Sequence, residues 1–109
     1  MLKEIEQLKV LFQQLKSILE KENDNETLYI RNQLELGLHL IDESLHSNYE
    51  NKDLEQLFSK LKEIYTNINQ PRVGLSDYFI WKDDYDERLE VNNDLDTIKE
   101  NLSLLFRNQ

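Results

Sequence analysis

Over residues 2–19 the apolar side chains are Leu2, Ile5, Leu8, Leu11, Phe12, Leu15, Ile18 and Leu19. Steps of three and one residue place them on one face of a helix, with Lys, Glu and Gln on the other. Val10 alone falls off the stripe. The polar run 22–25 breaks the pattern, and Asp24 or Asn25 can cap the next helix. That second helix is expected over residues 26–46, with Ile30, Leu34, Leu38, Ile41 and Leu45 on its main stripe. A second apolar set, Tyr29, Leu36 and Leu40, lies well around the cylinder. A helix apolar on more than one side packs against more than one neighbour, so this helix is expected to be the most buried. Gly37 inside it costs ~1 kcal/mol relative to Ala, which a close helix–helix approach would justify.

After a break at 47–51, Asn51 or Asp53 can open a third helix bearing Leu54, Leu57, Phe58, Leu61, Ile64, Tyr65 and Ile68. It must stop before Pro71, because the residue ahead of a proline is pushed out of the α region. Residues 69–84 show no clean period and hold Tyr78, Phe79, Ile80 and Trp81 in a row. They read as a structured loop with one short helix starting near Ser76, for which Ser76 and Asp77 are N-cap candidates. A last helix is expected over residues 84–106, with Tyr85, Leu89, Val91, Leu95, Ile98, Leu102, Leu105 and Phe106 on its stripe. Asn92-Asn93-Asp94 weakens its middle, where Asn93 could start a fresh helix. The pattern predicts an all-α fold: residues 1–109 form one domain, an antiparallel bundle of about four helices with a structured aromatic loop before the last.

Composition sharpens this mainly by exclusion. A 13.2 kDa chain folds to a surface of ~6,400 Å² from ~19,000 Å² unfolded, enough burial for an independent core. Two Gly and one Pro supply too few turns for a sandwich or barrel, and no glycine-rich phosphate loop. The absence of Cys excludes disulfide scaffolds, cysteine-based zinc sites and thiol catalysis. A net charge of -9 argues against nucleic acid and against an anionic membrane surface as partners. The N-terminus, MLKEIEQLK, has no signal-peptide apolar core, and no run approaches the ~18 residues of a membrane span. A cytoplasmic location is expected.

The chemistry-bearing residues are few. His39 and His46 share a helix face, and Glu43-x-x-His46 matches half of a di-iron bundle motif. The second copy would need a third His, which the chain lacks, so no metal and no cofactor is expected. Ser44 and Ser47 lie beside these histidines, but Ser–His spacing along one helix is not a catalytic triad. Asp77, Asp83, Asp84 and Asp86 are close together but lack the alternation and central Gly of a calcium loop. Nothing points to an enzyme.

The acid is unevenly distributed. Residues 77–100 hold nine carboxylates (Asp77, Asp83, Asp84, Asp86, Glu87, Glu90, Asp94, Asp96 and Glu100) against Lys82, Arg88 and Lys99, six of the nine net negative charges. Tyr78, Phe79, Trp81 and Tyr85 are interleaved with them. Two readings stay open. Phe79 with Trp81, or Tyr78 with Ile80, could plug the open end of the bundle; alternatively, exposed rings among carboxylates form a protein-binding hot spot. The acids likewise read as a solvated helix face or as a steering surface for a cationic partner.

The stretch from Pro71 to Leu89, PRVGLSDYFIWKDDYDERL, with Asn92-Asn93-Asp94-Leu95 after it, resembles small bacterial immunity proteins encoded beside polymorphic or contact-delivered toxins. The resemblance covers residues 71–98, a quarter of the chain. It implies a non-enzymatic inhibitor that binds one cognate toxin protein and occludes its active or substrate-binding surface. Many such toxins are basic nucleases, which an acidic inhibitor would meet by mimicking nucleic acid. The residues expected to bind this basic partner are Asp77, Tyr78, Trp81, Asp83, Asp84, Tyr85, Asp86, Glu87 and Glu90. The alternative is a helical adaptor, secretion chaperone or regulatory subunit, which would carry a long apolar groove. Leu36, Leu40 and Val10 would instead serve a homodimer.

Overall fold

The computed structural model describes residues 1–70 and 74–107. Four α-helices run α1 Leu2–Glu22, α2 Leu28–Leu45, α3 Asn51–Ile68 and α4 Tyr85–Arg107, and the described residues contain no strand. The fold is an all-α bundle, as the four stripes predict. Pro71, the expected stop for α3, lies outside the described residues.

Local chemistry sets the helix ends. Asn23 closes α1 in the left-handed conformation (φ 50°, ψ 41°), and its N–H donates to the Leu19 carbonyl at 3.0 Å. Asn tolerates this region better than most residues, because its short side chain can hydrogen-bond locally. Asp24 then caps a single 3-10 turn, Asn25–Thr27, and its carboxylate accepts from the Glu26 N–H at 3.1 Å. The α3 start is a capping box: the Glu50 side chain accepts from the Asp53 backbone, and the Asp53 carboxylate accepts from the Glu50 N–H.

The chain runs up, down, up, down. α1 packs between α2 and α4, and α2 packs against α3. The ring closes through aromatic side chains: Phe106 of α4 lies 5.3 Å from Phe58 and 4.7 Å from Tyr65, ring centre to ring centre. One continuous core joins the four stripes, including Phe12, Leu34, Leu61 and Leu102, each fully enclosed. The expectation that α2 is the most buried helix is corrected here. α1 buries six residues and α2 four: both pack between two helices, but Tyr29 and Leu36 of α2 remain uncovered. Gly37 does mark a close approach. A Cβ there would stand 2.6 Å from Cε2 of Phe12.

The molecule is a rod of 48 × 24 × 24 Å. The α1–α2 turn and the residues leading into α4 share one end of it, where Lys82 and Glu22 are paired at 2.7 Å.

Candidate functional site

The segment between α3 and α4 is held by three devices. Gly74 donates to the Gln70 carbonyl at 2.9 Å, and a Cβ at Gly74 would fall 2.5 Å from that same oxygen, so the backbones meet too closely for any other residue. Leu75 opens a 3-10 turn over Leu75–Asp77 and buries its side chain in the core. The turn begins one residue before the expected start near Ser76, with Gly74 at the N-cap, so Ser76 lies inside it, where its Oγ–H donates to the Gln70 carbonyl at 3.4 Å. From Tyr78 (φ −78°, ψ 135°) the chain is extended, and extended side chains alternate between two faces.

That alternation settles which rings go inward. Tyr78 is half-buried and Ile80 is 2% exposed, whereas Phe79 is 58% and Trp81 66% exposed. Asn92 of α4 fixes the register. Its Oδ1 accepts from the Ile80 N–H at 2.9 Å, and its Nδ2 donates to the Ile80 carbonyl and the Arg88 carbonyl, each at 2.8 Å. Both backbone groups of Ile80 are thus satisfied by one side chain, as a neighbouring strand would satisfy them. Asn92 and Thr27 are the buried polar residues among those described.

The sequence left open whether α4 breaks in its middle; it is continuous through Asn92 and Asn93. The stripe of α4 is corrected. Asn92, Leu95, Ile98, Leu102 and Phe106 face the core, whereas Tyr85 and Leu89 are 64% and 50% exposed. The signal was present in the sequence: an Asn three residues before Leu95 on the apolar stripe must find hydrogen-bond partners when buried.

Phe79, Trp81, Tyr85 and Leu89 therefore stand out at one end of the rod. The guanidinium of Arg88 lies 4.3 Å over the Trp81 ring and 5.3 Å from the Tyr85 ring. Trp81 Nε1–H donates to Asp83 Oδ1 at 3.4 Å. Exposed cation–π contacts are worth ~0.5–1 kcal/mol, enough to order the rings before a partner arrives.

The acids divide by role. Asp84 caps α4, accepting from the Glu87 N–H at 2.9 Å through Oδ2 and from the Arg88 N–H at 3.0 Å through its carbonyl. Asp86 and Glu87 occupy the first turn of α4, favoured by the helix dipole. Glu87 and Glu90 turn away from the rings and line a groove beside α1 with Lys21, Glu22 and Lys82. Asp77 and Asp83 are exposed near the rings in the chain. Tyr78, expected as a contact residue, packs partly into the core instead. Its phenol is pushed up to about 12, first by burial and then by Asp24, Glu22 and Glu26.

That last effect brings in residues that no sequence pattern links to this site. Glu22, Asp24 and Glu26, more than fifty positions away, join the same acidic end. No local pattern links them to Tyr78; only the bundle does.

His39 lies elsewhere, on α2, and His46 caps the C-terminus of that helix. His39 Nε2 sits 3.2 Å from Glu43, and His46 Nδ1 donates to the Asp42 carbonyl at 2.7 Å. Among the described residues no group of three or more His, Cys, Asp or Glu is placed to hold a metal ion, and no helix is long and apolar enough to cross a membrane. No protein-family model, curated protein or solved structure matches this chain.

Proposed function

We propose that this chain is a non-catalytic, cytoplasmic immunity protein that binds a cognate bacterial toxin domain and covers its active or substrate-binding surface. The observation that carries this reading is the outward ridge of Phe79, Trp81, Tyr85 and Leu89 among carboxylates. Large exposed rings on a fixed backbone cost little entropy to bury and dominate binding where they meet a partner. Surrounding acids attract a basic surface and accelerate encounter, as nucleic acid would on a nuclease. The resemblance of residues 71–98 to immunity proteins agrees, although residues 71–73 lie outside those described.

A second reading, a helical adaptor or secretion chaperone, is favoured by a separate feature. An open groove between α1 and α4 has Val10, Leu11, Leu104 and Leu105 on its floor. It would seat an apolar helix away from the acidic end.

The test is co-expression with the C-terminal domain of a large exported protein encoded in the adjacent reading frame. The immunity reading expects the cells to survive and the two chains to co-purify in equal amounts. Killing of cells that contain the folded protein, or co-purification that survives loss of the ridge but not a Val10→Glu change in the groove, would favour the adaptor.

A further inference from the structure

Phe79, Ile80 and Trp81 are arranged like the edge of a sheet, although the described residues contain no strand. Their side chains alternate, Ile80 inward and Phe79 and Trp81 outward. Their main chain alternates too. Along an extended chain the N–H and C=O of one residue point to one side, and those of the next residue to the other. Both groups of Ile80 bond the Asn92 amide of α4. Those of Phe79 and Trp81 therefore point away from α4. Among the described residues none of these four groups has a hydrogen-bond partner, whereas the preceding Tyr78 N–H is tied to the Leu75 carbonyl at 3.1 Å.

One side of the segment is thus paired as a strand would pair it, and the other side is open. The open side offers two donors and two acceptors at the spacing of a ladder, on a backbone that Asn92 holds in place. Unpaired groups of this kind are a template for another strand.

The surroundings select the occupant. The exposed rings of Phe79 and Trp81 flank the edge and give a strand apolar contact. Asp83, Asp84 and Asp86 come next in the chain. The nearby cations are engaged elsewhere: Lys82 pairs with Glu22 at 2.7 Å, and Arg88 lies on the Trp81 and Tyr85 rings. A second copy would bring the same carboxylates, and a net charge of -9, to this edge and be repelled. A strand with basic side chains is attracted.

We propose that residues 79–81 are a docking edge that takes a lysine- or arginine-bearing strand of a partner protein by β-strand addition. This rests on the reading of the ridge as the surface for a basic partner, and it names the element of that partner that docks. Main-chain bonds hold the strand, while the rings and acids choose among sequences. Four such bonds alone give binding on the order of millimolar, so a short strand binds weakly and a whole partner adds contacts.

The blocked peptide acetyl-Lys-Val-Lys-Val-Lys-amide, added to the isotope-labelled full chain, tests the edge without any toxin. The Phe79 and Trp81 amide protons should move downfield and saturate at millimolar peptide, while that of Ile80 stays nearly still. A peptide methylated on both Val nitrogens and one methylated on the central Lys nitrogen should differ. One should bind at least ~5-fold more weakly and the other like the parent, because only alternate N–H groups of an added strand face the edge. The glutamate counterpart of the peptide should cause no movement. In the protein, Phe79→Ala and Phe79→Pro both remove the ring, but only Pro removes the N–H. Tyr78 already has the extended conformation that precedes proline (φ −78°, ψ 135°), so the two variants should melt alike. Phe79→Pro should bind the peptide at least ~5-fold more weakly than Phe79→Ala. Should Pro disturb the fold, the methylated peptides still decide. Phe79 and Trp81 amides that stay still, equal effects of the two methylations, or equal affinities of two folded variants would overturn the proposal. So would a glutamate peptide that binds as well, or amides that move with protein concentration alone, which would make the occupant a second copy. A toxin domain that fails to co-purify would instead count against the toxin reading and leave these outcomes to decide the edge.

Discussion

Asn92 shows how one side chain can determine which residues are presented to a partner. Its amide satisfies both backbone groups of Ile80 and so fixes which neighbours turn outward. Asn92→Ala should leave a buried N–H and C=O without partners, at ~1–3 kcal/mol for each group. A denaturant melt should therefore show a clearly lowered midpoint, and Trp81 fluorescence should broaden as the segment loosens. An unchanged melt would mean that water replaces the amide at no cost. Tyr78 supplies a pH-dependent counterpart. Its phenol titrates near 12 in the folded protein and at ~10 in an unfolded chain. Folding therefore favours the neutral phenol. The stability this contributes is fully present below pH ~10 and declines as pH rises towards 12. Tyr78→Phe should flatten that alkaline decline in a series of melts from pH 9 to pH ~12. A decline of equal slope in the variant would assign the effect to other groups.

At the scale of elements, the helices arise from periodicity and caps, whereas their mutual fit depends on packing. Gly37→Ala illustrates the difference. Helix propensity alone would gain ~1 kcal/mol, but the new Cβ would meet the enclosed Phe12 ring at 2.6 Å. Overpacking of this kind costs ~1–3 kcal/mol, so a net loss of stability is expected. Adding Phe12→Leu should recover part of it, a non-additivity that a double-mutant cycle measures. The same contrast explains what was legible in the sequence. Each stripe repeats within about twenty residues, and the four helix spans can be read from it to within about three residues. The path of residues 74–84 was not legible, because four consecutive apolar residues fit a strand or a helix turn equally well. Tyr85 and Leu89 follow the α4 stripe in sequence, yet they lie off the face that Asn92, Leu95 and Ile98 turn to the core, so they are exposed. The recruitment of Glu22, Asp24 and Glu26 needed the antiparallel α1–α4 contact, which no local window contains.

Over the whole molecule, shape and charge act together. A rod of 48 × 24 × 24 Å has two small ends, and one carries both the exposed rings and much of the negative charge. Charge and rings have separable consequences for binding. Neutralising Asp83, Asp86, Glu87 and Glu90 to their amides should slow association with a basic toxin domain and flatten its salt dependence, because exposed charges act through steering. Asp84 is left out of that set because its carboxylate caps α4. An association rate unchanged at low salt would show that these acids are only a solvated face. The rings carry the central claim. The most direct test is the dissociation rate of Trp81→Ala from its toxin domain, measured beside the parent, with a thermal melt of each free protein. Trp81 is 66% exposed, so its loss should leave the melt nearly unchanged while dissociation accelerates by ~30-fold, the equivalent of ~2 kcal/mol for a hot-spot residue. A dissociation rate equal to that of the parent, or a melting temperature that collapses, would contradict the account.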